Sequence, residues 1–334
     1  MTESSYFLTL ARLFLLAVLL IEPGCAVSEW KSTYGLHHTL TGKIWDVSAA
    51  SFIDRTTLLN RLAHARFVLL GENHNNPDHH RLQAELLRQL IDVGRRPALG
   101  FEMLDIDDAP TIAKHLASSP KDAAGLGAAV GWNQRGWPDW TLYQPIAQVA
   151  LEAGLPIVGL NLRRSTVETL RREGVTGLER SMALQLDLDR PVRPDIGRKM
   201  ADEIRKSHCG YAPEDRIETM IIIQRARDAR MADRMIAAGR HDGTVLVVGA
   251  GHTRIDYGIP THLNTKARGQ TLVSLAFLEV QGDKTVPEAY AVGFARAMLP
   301  FDYVWFTPRR ANQDPCEEFK TQLEKLKKKV KNQK

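Results

Sequence analysis

The sequence has few cysteines and lacks the short motifs that would assign a common enzyme class. Its three cysteines, Cys25, Cys209 and Cys316, are far apart and form no CxxC pair, so neither a zinc knuckle nor a c-type haem attachment site is indicated. HExxH, GxSxG and P-loop motifs are absent. The stretch GAGHTR from Gly249 lacks the third glycine of a dinucleotide-binding fingerprint. The function has to be inferred from longer patterns.

The body of the chain also lacks an excess of charge of one sign. The 334 residues carry a formal net charge of +5, with a pI near 9.1. The segment 320–334 holds seven lysines and one glutamate, and its charge of +6 accounts for the whole excess after residue 24. The basic pI is therefore no argument for nucleic acid binding, and we expect none.

Long apolar runs are missing except near the N-terminus, where residues 13–21 read LFLLAVLLI. Nine residues are too few to span a bilayer, and the flanking Arg12 and EPGC are typical of a signal peptide. We expect residues 1–24 to be a lipoprotein-type signal and Cys25 to be the lipidated first residue of the exported chain. Glu22 departs from the apolar residue usual at that position, and an ordinary secretory signal is the alternative.

Export would place the protein in a bacterial cell envelope. Ala26 after Cys25 favours the outer membrane, with the protein facing the periplasm. The tail, residues 316–334, carries an apolar stripe on a lysine-rich helix, so it either lies on anionic lipid or is a solvated terminal helix. In an oxidising compartment Cys209 and Cys316 can pair, although both can equally be buried and reduced.

Short apolar runs alternate with helical patterns through most of the chain. The runs read as strands, and they lie at 66–71, 97–103, 155–162, 243–252 and 271–280. Near-continuous apolar strands separated by helices predict an α/β fold, in which helices cover both faces of a mostly parallel sheet. Between residues 163 and 240 the pattern is helical throughout, which predicts a smaller all-helical subdomain inserted between two strands.

Polar residues follow the first four of these strands, where ligands of open α/β sheets bind. They are Glu72, His74, Glu102, Asn161, Arg163, His252 and Arg254. Two histidines with two glutamates suit a divalent metal with an open position, which would make the protein a metal-dependent hydrolase. Without a metal, His74 would be the general base of an esterase or peptidase, oriented by Glu72 or Glu102. His79 and His80 open the next helix and are expected at the surface.

Five segments in order, LLGENHNN, GFEM, IVGLN, RARDARMA and VVGAGHTR, resemble the ChaN-like haem-binding lipoproteins of the Tiki and erythromycin-esterase-like superfamily. The resemblance covers about residues 40–310. It implies an α/β domain with a smaller helical domain, and a haem-binding protein in haem and iron uptake rather than an enzyme. It also implies two cofacial haems at a homodimer interface. Arg227 and Asp228 are the residues that match the RD motif of the family.

The resemblance further implies that a tyrosine holds the haem iron. An anionic tyrosinate stabilises ferric iron, which suits capture and transfer of haem. Tyr211, beside His208 at a break between helices, is the favoured ligand, and Tyr257 and Tyr143 are the alternatives. A hydrolase that uses the four strand-end residues remains the second hypothesis.

Overall fold

The computed structural model describes residues 30–312, 316–317, 320–321 and 324. The strands are β1 (Ile44–Asp46), β2 (Ser51–Ile53), β3 (Phe67–Glu72), β4 (Ala98–Asp105), β5 (Ile157–Asn161), β6 (Thr244–Gly249), β7 (Leu272–Glu279) and β8 (Tyr303–Thr307). The α-helices are α1 (Arg55–His64), α2 (Pro77–Asp92), α3 (Ala109–Ser118), α4 (Ala123–Ala129), α5 (Trp140–Glu152), α6 (Arg164–Glu173), α7 (Arg180–Gln185), α8 (Pro194–Ser207), α9 (Glu214–Ala238) and α10 (Ile259–Lys266). The expected signal segment with Cys25, and most of the tail, lie outside these residues. No helix in the part of the chain so described is both long and apolar enough to cross a membrane.

All eight strands belong to one sheet, in the order β2-β1-β8-β7-β3-β6-β4-β5. The pairs from β7–β8 to β4–β5 are parallel, whereas β1 is antiparallel to both β2 and β8. The predicted α/β fold is confirmed. The apolar runs had located β3 to β7, but not β1 and β2, which have only three residues each, nor β8.

The central strands are buried on both faces. Val68 and Leu70 of β3 pack with α1, α2 and α5, while Phe67 and Leu69 pack with α9 and α10 on the other face. This two-sided burial explains why the strand sequences are continuously apolar rather than alternating. Each such side chain stabilises the fold by about 1.5–3 kcal/mol. The carboxyl end of β3 is thus a rigid support for the polar residues after it.

Helices α6 to α9 lie between β5 and β6, and no strand interrupts them within this stretch of described chain. Their apolar residues form two small clusters apart from the main core, one around Met200 and Ile221 and one around Leu170 and Leu186. The last turns of α9 instead pack on the sheet through Met231 and Met235. Helix α9 therefore belongs to both parts of the molecule.

A disulfide joins Cys209 to Cys316, across 107 residues of sequence. Cys209 lies in the turn between α8 and α9, so the bond fixes the start of the C-terminal tail to the helical region. The sequence left it open whether these thiols are paired or reduced, and the structure shows them paired. A cross-link that closes a long loop stabilises a domain by about 2–4 kcal/mol.

Candidate functional site

Glu72 ends β3 and is only 3% exposed. Its Oε1 accepts hydrogen bonds from the Tyr143 hydroxyl at 2.9 Å and from Nδ1 of His74 at 2.8 Å. Nδ1 of His80 lies 3.1 Å from Oε2. Burial alone would raise the pKa of Glu72, but His80 and His74 hold it well below its ordinary value. Glu72 is therefore a carboxylate surrounded by donors.

His79 and His80 are both buried, so the expectation that they lie at the surface is wrong. Nδ1 of His79 accepts the Asn73 N–H at 2.8 Å, and its Nε2 lies 2.8 Å from Thr307 Oγ1. Burial lowers the pKa of His79 to about 3, which makes it a neutral ring. His80 Nε2 lies 3.0 Å from the His74 carbonyl oxygen. The two rings fix the loop that presents His74.

A second cluster forms around His252, which lies in a short 3₁₀ turn after β6. Its Nε2 is 3.2 Å from Oε1 of Glu102, and its Nδ1 is 2.5 Å from Oδ1 of Asp228 on α9. Burial alone would lower the pKa of His252, but the two carboxylates raise it to about 10. Burial alone would raise the pKa of Glu102, but the nearby His252 and His74 lower it to about 2. His252 is thus an imidazolium between two carboxylates.

The two clusters meet at His74, whose Nε2 lies 3.9 Å from Oε2 of Glu102. Gly249 lies directly beside this ring, and a Cβ there would be 2.9 Å from His74 Nε2. Gly71 is similarly crowded, since its Cβ would be 2.7 Å from Thr253 Oγ1. The glycines at the end of β6 and within β3 let the polar side chains pack into one continuous group.

This arrangement does not favour the divalent metal. A protonated imidazole such as His252 has no lone pair for a metal ion. Both oxygens of Glu102 and Oε1 of Glu72 already face donors, which leaves Oε2 of Glu72 and Oδ2 of Asp228 without a hydrogen bond in the described chain. Within the residues the structure describes, no group of three or more His, Cys, Asp or Glu side chains is arranged to hold a metal ion.

Three further residues predicted for the site have other contacts. Asn161 donates from Nδ2 to the Glu102 carbonyl oxygen at 2.9 Å, so it supports β4. Arg163 forms an ion pair with Asp107 and is half exposed. Arg254 is 1% exposed, and it bonds both carboxylate oxygens of Asp256 at 3.0 Å. These side chains hold the rim of the sheet together.

A cavity of about 900 Å³ opens above the joined clusters, between them and helices α8 and α9. Its polar wall includes Glu72, His74, Glu102, Gln224, Arg227 and His252. Its other wall is largely apolar and includes Trp137, Val167, Met200, Ile204, Met220, Ile223 and Tyr257. The volume is at the upper end of the range for ligand and cofactor sites, and the mixed lining is typical of them.

The three candidate tyrosines have different surroundings. Tyr257 lines the cavity, and its hydroxyl makes no hydrogen bond within the described chain. Tyr211 is 48% exposed and does not line the cavity, although His208 does. Tyr143 is completely buried and donates to Glu72. Only Tyr257 places a phenol at the wall of this cavity.

Sequence reasoning missed several contacts of the site. Gln224 Nε2 lies 3.0 Å from His252 Nδ1, and the Trp137 ring centroid lies 5.0 Å from that of His74. Gln224 is one helical turn before Asp228, a spacing that places both on one face of α9. His79 also carried a signal, because it precedes Leu82 by three residues on the apolar stripe of α2.

The substitution His252→Gln should destabilise the protein most at low pH. Since the pKa of His252 is raised from 6.5 to about 10, its ionic contribution is complete below about pH 6.5 and is lost as the pH rises through about 10. We expect a loss of about 3–5 kcal/mol in the free energy of unfolding near pH 6, because two buried carboxylates lose their cation. The loss should shrink towards pH 10, as measured by urea unfolding.

His262→Gln is the matched control, because that ring pairs with the exposed carboxylate of Asp187, which keeps Lys266 as a second cation. Its cost should stay below about 1 kcal/mol. A cost of His252→Gln that does not change between these pH values would contradict the imidazolium assignment.

Comparisons with known proteins agree with the fold. A model of the haem-binding uptake family ChaN, of the Tiki superfamily, matches residues 58–263. The structure of cofacial haem binding to ChaN of Campylobacter jejuni has 21% identity and a TM-score of 0.59, and the match covers 78% of this chain and 95% of that chain. A mutant of the erythromycin esterase EreC has 13% identity and a TM-score of 0.43, and the match covers 86% of this chain and 99% of that chain. No curated protein matches the chain. Because the family match spans more than half of its length, the chain belongs to the ChaN family of haem-binding uptake proteins in the Tiki superfamily.

Proposed function

We propose that this protein binds ferric haem in the cavity between the sheet rim and helices α8 and α9, as a carrier in haem uptake. The observation that carries the proposal is the cavity of about 900 Å³ with a tyrosine in its apolar wall. Met200, Ile204, Met220 and Ile223 supply the apolar surface that a porphyrin requires. Family membership supports the same ligand.

Tyr257 is our proposed iron ligand. Burial raises the pKa of its phenol above the ordinary value, and the adjacent guanidinium of Arg254 opposes only part of that rise. The Arg254 Cζ atom lies 4.3 Å from the Tyr257 ring centroid, and Asp256 fixes it there. A bound ferric iron supplies the Lewis acid that makes a phenolate favourable. Arg254 would then stabilise the phenolate as a permanently charged neighbour.

The other two tyrosines fit this role less well. Tyr143 would have to abandon its hydrogen bond to Glu72, which is buried and would lose a donor. Tyr211 can reach haem only at the protein surface, for example between two subunits. We propose a homodimer with two cofacial haems as the setting in which Tyr211, instead of Tyr257, would act; cofacial haem binding is described for ChaN of C. jejuni.

The substitution Tyr257→Phe should weaken ferric haem binding. We expect the affinity to fall by more than about tenfold, equivalent to about 1.4 kcal/mol, since the ring remains but the ligand oxygen is lost. The phenolate-to-iron charge-transfer band should also disappear. Absorbance titration of the purified protein measures both quantities.

Tyr211→Phe is the matched control and should leave the affinity and the band unchanged. If Tyr211→Phe removes the band instead, and haem shifts the elution volume of the protein to that of a dimer, the iron lies at a subunit interface. No saturable binding to the unaltered protein would refute the haem-binding function itself.

We also propose that the chain is exported and lipid-anchored, by Cys25 and with help from the basic tail, in the outer membrane facing the periplasm. The signal-like residues 1–24 support this, and the Cys209–Cys316 disulfide is of the kind that persists in oxidising compartments. Neither feature distinguishes the inner from the outer membrane, so the proposal of the outer membrane rests on Ala26, the residue after Cys25.

Cys25→Ser should abolish lipid attachment. Cells fed a radiolabelled fatty acid should incorporate it into the unaltered protein, which should sediment with membranes, because Cys25 is the proposed acceptor. The variant should carry no label, whereas Cys209→Ser should retain it. An unlabelled, soluble periplasmic protein would instead indicate an ordinary secretory signal.

Hydrolysis is the second candidate function, and one observation favours it. His74 lines the cavity with 28% of its side chain exposed, while Glu72 orients its Nδ1. Burial lowers the pKa of His74, but the carboxylates of Glu72 and Glu102 raise it above its ordinary value overall. A raised pKa suits a general acid that protonates a leaving group better than the general base expected from the sequence.

His74→Gln should therefore abolish any hydrolysis of p-nitrophenyl esters or chromogenic peptides, because the side chain can no longer transfer a proton. Glu72→Gln is a poorer probe, since Glu72 also accepts from Tyr143. Initial rates with and without a chelator measure the effect and any metal dependence. Turnover that His74→Gln leaves unchanged would contradict this mechanism.

A further inference from the structure

A side recess extends the main cavity on the flank formed by β4, β5 and α6. It has a volume of about 150 Å³ and shares Glu102, Trp137, Val167 and Arg227 with the main cavity. Arg135, Arg164 and Asp105 also line it. A group that projects sideways from a ligand in the main cavity would enter this recess.

Most charges around the recess are matched within the protein. Arg135 donates to both carboxylate oxygens of Asp108 and also lies 4.0 Å from Asp105. Glu102 pairs with His252. Arg163, the neighbour of Arg164 in sequence, pairs with Asp107. These contacts offset the charge of Glu102, whereas Asp105 is offset only weakly by Arg135, and burial together with the nearby Asp108 raises the pKa of Asp105 above its ordinary value.

Arg164 and Arg227 are the two arginines of the recess that have no acidic partner among the described residues. Neither forms an ion pair with any residue that the structure describes. The Nε atom of Arg227 is buried and makes no hydrogen bond in the described chain. Because that atom is enclosed by the protein, a ligand in the recess would bind to the terminal nitrogens of the guanidinium, whose charge forms no ion pair within the described chain. The recess therefore presents two guanidinium groups without a protein partner.

The helix beside them adds to the positive potential. Arg164 is the first residue of α6, whose first turn holds no acidic residue and whose N-terminus has no side-chain cap. The N-terminus of a helix carries a partial positive charge, so an arginine there is unfavourable unless an anion lies nearby. The N-terminus of α6 therefore adds positive potential at the recess, which favours a bound anion.

We propose that Arg227 and Arg164 form a carboxylate subsite, which binds the acidic side groups of the ligand in the main cavity. On the haem-binding function proposed above, those groups are the haem propionates. A guanidinium matches a carboxylate with two parallel hydrogen bonds, which fixes orientation as well as adding affinity. The subsite therefore sets which edge of the macrocycle points towards α6.

Haem and its dimethyl ester provide the test, because they share the iron and the macrocycle but the ester has no carboxylates. We expect the unaltered protein to bind ferric haem more tightly than the ester. Arg227→Gln should lower the affinity for haem by about tenfold, as loss of a charge-assisted hydrogen bond implies, and should leave the affinity for the ester almost unchanged. Arg164→Gln should have a smaller effect in the same direction, since Arg164 is exposed.

Arg163→Gln is the matched control, because its guanidinium is already paired with Asp107, and it should leave the ratio of the two affinities unchanged. Equal binding of haem and ester by the unaltered protein would refute the subsite while leaving the haem-binding function intact. An equal loss for both ligands in Arg227→Gln would also refute it. Failure to bind either ligand would refute the haem-binding function and the subsite with it.

Discussion

The imidazolium of His252 lies between the carboxylates of Glu102 and Asp228, and the geometry of the site depends on this contact. Glu102 belongs to β4, His252 to the turn after β6, and Asp228 to α9. The contact thus fixes the helical region to the rim of the sheet. Two buried carboxylates without the cation would be very costly, so this joint allows little movement. The same contact sets the distance between α9 and the sheet.

The cavity follows from this fixed separation. With α9 held at Asp228, Gln224 one turn earlier and Met220 two turns earlier face the sheet across open space. The disulfide at Cys209 constrains the turn where α9 begins, on the other side of the same space. Apolar residues of α8 and α9 are therefore left facing a polar rim, a combination that suits a ligand with an apolar body and polar edges.

Much of the architecture was predictable from sequence, but the pairing of side chains was not. The apolar runs located the central strands, and the rule that polar residues gather at the carboxyl ends of parallel strands placed Glu72, Glu102 and His252 near each other. Periodicity gives the face of a helix but not its rotation against a neighbour. For that reason Asp228 was not identified as the partner of His252, and Tyr143 was considered as an iron ligand rather than a donor to Glu72.

The partners of the arginines near the site could not be predicted from sequence either. Arg163, Arg227 and Arg254 look alike in sequence, each close to a strand end or a motif. Asp107 and Asp256 lie within reach of Arg163 and Arg254, so those two charges are matched inside the protein. Arg227 has no such neighbour among the described residues, and this difference arises from the fold rather than from the local sequence.

The balance of charge at the rim favours an anionic ligand over a metal cation. A metal centre requires carboxylates that face open space with free lone pairs. Here Glu72 and Glu102 line the cavity, but Oε1 of Glu72 and both oxygens of Glu102 already face imidazole, phenol or backbone donors. Of the charged groups around the cavity and its recess, Arg164 and Arg227 are left without a partner. The same buried histidines that stabilise the fold therefore also remove negative charge from the cavity, so that a ligand with carboxylates can enter it.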